Sequence, residues 1–507
     1  MIEPLLHALP VVLSWQNVLA MVIGTLCGVV IGALPGLSAS IAIAVLIPLT
    51  FGMDPLVALG MMAGIYNGSM YGGAIPAVLL RIPGTPSAIV TTFDGFPMSQ
   101  QGKSGAALRI ASLSSALGGM VSAIALMTLA PPLSLITLAF GPAEYFWVAV
   151  FGLASISVLL GDDAIKGALS CTFGLLVGTV GTDLVTGHER FAFNTLELIS
   201  GFHIVVVLVG LYAVPRVLIM AEDRIREGVA AEALKLSGAS LGYNPFARFW
   251  KVWTRACIIG IIVGILPGAG GNIAAFLSYN EVKRASSDPD SFGTGNPEGV
   301  AAAECANNAD NSAAMIPALT LGVPGNSIAA LILGGLLVHG LQPGPALFRE
   351  HADIVYGFMI QMFLTSVLVF VFGGIIASRI FAQALRLPQV MLAPLIVGLM
   401  IVGVYSVNNS MFDLYIMVCF GLIGYAMEKL RFPLAPAVLG LILGSMAEIN
   451  LRLALVISRG DYSILFRNTI SQIVIALVVL VLLYPLYRAW QDRRKQTADS
   501  GEADRTA

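Results

Sequence analysis

Five polar side chains crowd one short stretch of the sequence: Glu304, Asn307, Asn308, Asp310 and Asn311. If residues 300–312 are helical, Glu304, Asn307, Asn308 and Asn311 fall within about 100° of arc, with Asp310 beside Asn307 on the margin. An amide can coordinate a cation through its carbonyl or donate to an anion through its NH2, and a carboxylate attracts cations. Such a face therefore suits a carboxylate substrate, an ion, or both. A sodium ion is expected near Asn67, Asn308 and Asp310. The competing reading is an exposed loop, because the polar run Asp288 to Glu298 lies just before it. Arg81 is the only Lys or Arg before Gln101, and its guanidinium fork could anchor a carboxylate or simply snorkel to the membrane interface. Asp94, Lys103 and Arg109 read as solvated loop and interface charges.

Other chemistries are absent or incomplete. Gly102-Lys103-Ser104 resembles the end of a phosphate-binding loop, but the motif needs glycine where Pro97 stands. No H-E-x-x-H occurs. The cysteines (Cys27, Cys171, Cys257, Cys305, Cys419) are odd in number and far apart in sequence, so they read as small packing residues rather than disulfide or metal ligands. A net charge of -2 gives no hint of a nucleic-acid partner. No cofactor is expected.

The elements that would carry the polar face are set by composition. With 57% apolar and 11% charged residues among 507, the chain is an all-α polytopic membrane protein in the lipid bilayer. Its apolar windows give about 11 to 12 transmembrane helices. Several windows, notably 37–51 and 433–447, are too short to cross alone, and 54 glycines with 26 prolines point to broken or re-entrant helical hairpins. The first apolar run, Val18 to Ile31, lacks a basic leader and is expected to stay as a span. The stretch Glu222 to Arg255 and the tail after Tyr487 carry clustered basic residues and belong in the cytoplasm.

An internal repeat organises the whole. Gly32-Ala33-Leu34-Pro35-Gly36 recurs 232 residues later as Gly264-Ile265-Leu266-Pro267-Gly268. Ile75-Pro76-Ala77 with Pro83-Gly84 recurs at an offset of 241 as Ile316-Pro317-Ala318 with Pro324-Gly325, and Asn67 then matches Asn308. A weaker echo pairs Gly174 to Thr179 with Gly440 to Ser445. These echoes divide the chain into a first transmembrane repeat at 1–221, with breaks at 34–36 and 83–84, and a charged linker at 222–252. A second repeat at 253–490, with breaks at 266–268 and 324–325, precedes a polar tail at 491–507. Paired Gly/Pro interruptions in two halves mark the binding site of secondary transporters, because each break bares amides or carbonyls within the membrane. The bland alternative is that the prolines only kink packed helices. On the transporter reading, the candidate substrate or ion ligands are Gly36, Ser38, Ser40, Asn67, Arg81, Gly84, Thr85, Gly268, Gly270, Asn272, Asn307, Asn308, Asp310, Asn311, Gly325, Asn326 and Ser327.

At these motifs the sequence resembles the large membrane subunit of the tripartite tricarboxylate transporter family, TctA. The resemblance runs from Gly32 to about Met446 and is carried by Gly32 to Ser40, Ala63 to Pro76, Asp94-Gly95-Phe96-Pro97 and Gly102. It continues through Pro297 to Ala302, Ala306-Asn307-Asn308, Leu321 to Gly325 and Gly340 to Pro345. The chain departs from the family pattern at Ala313-Ala314, where the pattern has glycines, and at Asn326, where it has serine. The resemblance implies a permease of the bacterial inner (cytoplasmic) membrane, not an enzyme, driven by an ion gradient with Na+ or H+ as coupling cation. It also implies partners: a small four-helix membrane subunit (TctB-like) and a periplasmic solute-binding protein (TctC-like) that delivers a small, citrate-like carboxylate. A carboxylate channel is the runner-up, and an intramembrane hydrolase a more distant one. The orientation of the two repeats stays open.

Overall fold

The computed structural model describes residues 2–34, 37–50, 52–159, 164–183, 187–223, 244–373 and 389–483. Pro35 and Gly36, most of the linker and the C-terminal tail lie outside the described residues. The chain is helical almost throughout: α1 Ile2–Val12, α2 Trp15–Ala33, α3 Ala39–Thr50, α4 Pro55–Gly72, α5 Ala74–Leu80, α6 Thr91–Gln100, α7 Ser104–Ile136, α8 Pro142–Leu159 and α9 Ala164–Gly178. A two-residue hairpin pairs β1 (Gly181–Thr182) with β2 (Glu189–Arg190). Then come α10 Ile204–Asp223, α11 Pro245–Ile265, α12 Gly270–Ala285, α13 Pro297–Ala313, α14 Met315–Leu321, α15 Ser327–Val338, α16 Pro345–Glu350 and α17 Ala352–Val371. The last helices are α18 Gln389–Asn408, α19 Met411–Lys429, α20 Leu434–Ile457, α21 Ile464–Arg467 and α22 Thr469–Leu483.

Among the described residues six helices are long and apolar enough to cross a bilayer, namely α2, α7, α10, α17, α19 and α20; α3, α9, α15, α18 and α22 are apolar as well. The α11 helix starts inside the stretch read as linker. Asn244 caps it by accepting from the Phe246 N–H, and Pro245 sits at its first turn, where a missing N–H costs nothing.

The chain forms two compact units. One comprises residues 1–138 and 202–430, and the other residues 139–201 and 431–507. Each half of the sequence contributes to both. Within the larger unit, the two structural repeats show as duplicated helix pairs. A Cβ added at Gly28 of α2 would lie 2.6 Å from the Ile65 carbonyl oxygen of α4, and one at Gly32 would lie 2.2 Å from that of Ser69. In the second repeat a Cβ at Gly260 of α11 would lie 2.5 Å from the Ala306 oxygen of α13, and one at Gly264 would lie 2.8 Å from that of Asp310. Only glycine allows such approach, the small-xxx-small packing of membrane helices. In the smaller unit, a Cβ at Gly440 of α20 would lie 2.3 Å from the Cys171 oxygen of α9, and one at Gly174 of α9 would lie 1.8 Å from the Ala437 oxygen. The weak third echo therefore consists of two helices packed on each other.

Candidate binding site among the broken helices

Both repeats interrupt their helices at the expected motifs, with matching backbone chemistry. The α5 helix ends at Arg81 in the left-handed region (φ 59°) and α14 ends at Gly322 in the same region (φ 73°). Beyond each end, the Ile82 N–H donates to the Pro76 carbonyl (3.3 Å) and the Val323 N–H to that of Pro317 (3.2 Å). Gly84 then donates to the Gly73 carbonyl and Gly325 to that of Ala314, both at 3.2 Å. At the other second-repeat break Gly268 takes φ 82°, and its N–H donates to the Gly325 carbonyl (2.8 Å), joining the two interruptions. Gly270 (φ 66°) opens α12 within van der Waals reach of Asn326, whose Cβ lies 3.7 Å from where a Gly270 Cβ would sit.

The polar stretch is a helix, and it is buried. Glu304, Asn307, Asp310 and Asn311 are 0% exposed and Asn308 1%, which overturns the exposed-loop alternative. The polar run before α13 is not free either, because Asp94 holds it. Asp94 is not the solvated charge that its sequence context suggests; it is fully buried. Its Oδ1 accepts from the backbone N–H groups of Gly293 (2.8 Å), Gly295 (2.9 Å) and Asn296 (2.8 Å), and its Oδ2 from the Tyr279 hydroxyl (2.9 Å). Burial is affordable for a carboxylate that receives this many donors. Lys103 and Arg109 are exposed, as expected.

Around α13 the side chains form one connected set. Asn326 Oδ1 caps α15 by accepting from the Ile328 (3.1 Å) and Ala329 (2.9 Å) N–H groups, while its Nδ2 donates to the Tyr66 hydroxyl oxygen and to Asp310 Oδ2, both at 2.7 Å. Asn311 Nδ2 donates to Asn67 Oδ1 (3.0 Å) and, more weakly, to Asn308 Oδ1 (3.4 Å). Asn67 Nδ2 in turn donates to the Met362 carbonyl (3.1 Å), Thr365 Oγ1 (2.9 Å) and Ser366 Oγ (3.2 Å) of α17. Asn308 Nδ2 donates to the Glu304 carbonyl one turn earlier (3.0 Å). The Glu304 carboxylate accepts from Thr91 Oγ1 of α6 (2.5 Å) and Ser115 Oγ of α7 (2.8 Å). Among the described residues neither Glu304 nor Asp310 takes part in a salt bridge. Both side-chain polar atoms of Asn307, with Asp310 Oδ1 and Asn311 Oδ1, are buried without a hydrogen-bond partner.

The chain belongs to the TctA family. The family model for the tripartite tricarboxylate transporter TctA family matches residues 18–439, so the polar face, all four interruptions and most of both repeats fall within it. The chain is 36% identical over 481 residues, 94% of its length and 95% of the relative's, to an uncharacterised 52.8 kDa protein of the TAR-I ttuC' 3' region of Agrobacterium vitis. It is 35% identical over 237 residues, 47% of its length and 98% of the relative's, to an uncharacterised protein of the TAR-II ttuC' 3' region of the same organism. No solved structure matches. The TctA family is a family of multi-pass membrane transporters, not of enzymes.

Within this TctA fold the sequence candidates divide. Asn67, Gly270, Asn307, Asn308, Asp310, Asn311 and Asn326 come together, with Gly268 and Gly325 joined behind them. Arg81 is exposed at the end of α5, its guanidinium 5.9 Å from the centre of the Phe96 ring. Asn272 is exposed and Ser327 half-buried. Ser38 Oγ accepts from the Ile41 N–H at the start of α3 (3.3 Å), and Ser40 is buried. Thr85 Oγ1 lies 3.2 Å from Ser87 Oγ. Gly84 is a packing residue, since a Cβ there would lie 2.1 Å from the Gly32 oxygen. Gly36 lies outside the described residues.

Tyr66, Thr365 and Ser366 belong to the connected set and are absent from the sequence candidates. Tyr66 was findable, because it stands opposite Asn307 at the offset of 241. Thr365 and Ser366 sit in an unrepeated apolar run and give no such signal. Cys257 and Cys305, far apart in sequence, meet with their sulfurs 3.4 Å apart as free thiols between α11 and α13.

Proposed function

We propose that the chain is the large permease subunit of a tripartite secondary transporter in the bacterial inner membrane. It imports small carboxylates of tricarboxylate or citrate type, delivered by a periplasmic binding protein, together with a small four-helix membrane subunit. The gradient of a coupling cation, Na+ or H+, drives it. The observation that carries this reading is the buried amide and carboxylate face of α13 between helix interruptions that occur in both repeats. Ionisable groups at membrane depth mark substrate or ion paths, and interrupted helices of repeated halves build such sites around them. Asp310 and Asn326 from the second repeat and Tyr66 and Asn67 from the first meet there. A carrier that changes the exposure of one site between repeats needs this arrangement.

The test is uptake by proteoliposomes that hold the chain with its small subunit, supplied with the binding protein and a labelled tricarboxylate. Accumulation above equilibrium is expected only with an imposed sodium or proton gradient and all three proteins present. Uptake that merely equilibrates would indicate a channel, and uptake that needs ATP would sink the proposal.

A further inference from the structure

We propose that Asn307, Asp310 and Asn311 form a binding site for one sodium ion, supplying three of its oxygen ligands. For its role this assignment rests on the transporter reading above; for its test it does not. Asn307 Oδ1, Asp310 Oδ1 and Asn311 Oδ1 are buried acceptors without a hydrogen-bond partner among the described residues, and the one backbone N–H turned toward the Asp310 carboxylate is that of Gly271. Orphaned buried acceptors are rare and costly, and three on one helix face with a carboxylate oxygen among them suit a shared partner that carries positive charge. Spacings of three and four residues place these side chains on one face of α13 within a single turn.

The surrounding bonds fix which oxygens are free. The Asn311 amide nitrogen is committed to Asn67 and Asn308, so its carbonyl faces away from them. Asn326, itself fixed by the first N–H groups of α15, holds Asp310 through Oδ2, leaving Oδ1. The first turn of α12 makes room for Asn307, because a Cβ at Gly271 would lie 2.4 Å from Asn307 Oδ1. Asn67 and Asn308, the amides expected beside a sodium ion, have their carbonyl oxygens occupied by the Asn311 amide and act as supports.

Charge and donor type narrow the ion to a hard monovalent cation, and of the two coupling cations proposed above only sodium gathers several oxygen ligands. One carboxylate and two neutral carbonyls carry a single negative charge, which a monovalent cation balances and a divalent one would overshoot. Oxygen-only ligands suit a hard cation and not a transition metal. No group of three or more His, Cys, Asp or Glu capable of holding a metal occurs among the described residues.

Equilibrium binding of radioactive sodium to the full chain, purified in detergent with its small subunit and without carboxylate, tests the site. Saturable binding of one ion per chain is expected, not displaced by potassium or choline. Asp310→Asn and Asn307→Ala should each weaken it at least about tenfold, the usual cost of losing one interaction with a charged group. The Asn307 side chain makes no hydrogen bond among the described residues, so Asn307→Ala removes a ligand without breaking a hydrogen bond and keeps the test decisive if Asp310→Asn misfolds. Sodium should also raise the unfolding temperature of the parent and not of Asn307→Ala, because a ligand that binds only the native state stabilises it. Absence of sodium binding, or equal binding by the parent and a folded Asn307→Ala, overturns the site. Since no substrate is present, this result can fail while carboxylate uptake succeeds, and the reverse.

Discussion

A single carboxylate, Asp94, pins an otherwise solvent-exposed loop, and its loss should be felt as stability. Each hydrogen bond to a charged group is worth roughly 1.5–3 kcal/mol, so Asp94→Asn, which weakens several at once, should cost about 2–4 kcal/mol in detergent unfolding. Tyr279→Phe removes one of the four bonds and should cost less, about 1–2 kcal/mol. If Asp94→Asn unfolds like the parent, the latch is not structural. Asn326 invites a different substitution. Serine caps helices about as well as asparagine, so Asn326→Ser should fold normally while losing the bridge from Tyr66 to Asp310. Its half-saturation for substrate or coupling cation should rise roughly tenfold; an unchanged value would place the bridge outside the transport path. The two residues differ in how readable they were. Asparagines and an aspartate spaced along a helix stand out in an apolar chain. Three of the four partners of Asp94 are backbone N–H groups about 200 residues away, and no side-chain pattern announces them.

At the scale of elements, the Leu-Pro-Gly and Pro-Gly interruptions were legible because each needs glycine or proline chemistry in the backbone itself. Gly268 at φ 82° is the clearest case. Valine there meets a left-handed strain of about 1–3 kcal/mol. Gly268→Val should therefore still insert in the membrane but lose uptake, and near-parental uptake would reduce the break to a kink. The bends between α4 and α5 and between α13 and α14 are not among the interruptions that the sequence marks. Gly73 and Ala314 at those bends keep right-handed helical angles, so nothing unusual is required of them. The cause lies three residues on, where Pro76 and Pro317 lack the N–H that would bond to residues 72 and 313. In the smaller unit, Gly440→Leu should drive a side chain into the Cys171 carbonyl. It should lower the unfolding temperature, whereas Gly460→Leu, where a Cβ meets nothing within 4 Å, should perturb only its own loop.

For the whole molecule, duplication and compact units follow different boundaries, and this shapes how the chain can be divided. The larger unit draws on residues 1–138 and 202–430, the smaller on 139–201 and 431–507. A cut between Asp223 and Asn244 yields two fragments, each lacking part of both units. Expressed alone, each should elute as aggregate in detergent; co-expressed, they should recover one monodisperse species. A single fragment that is monodisperse alone would contradict this interdependence. The sequence disclosed the duplication through its Gly/Pro motifs but not this interleaving, because an echo between two segments says that they are related and not that they pack into one unit. The Asp94 latch also supplies the molecule with a clock. The N–H groups of Gly293, Gly295 and Asn296 sit in a surface loop where amide protons ordinarily trade with solvent at once, yet all three are bound to one buried oxygen. Their deuterium uptake is therefore set by how often α6 parts from the loop before α13, so those three amides would time that separation in the intact, unlabelled protein.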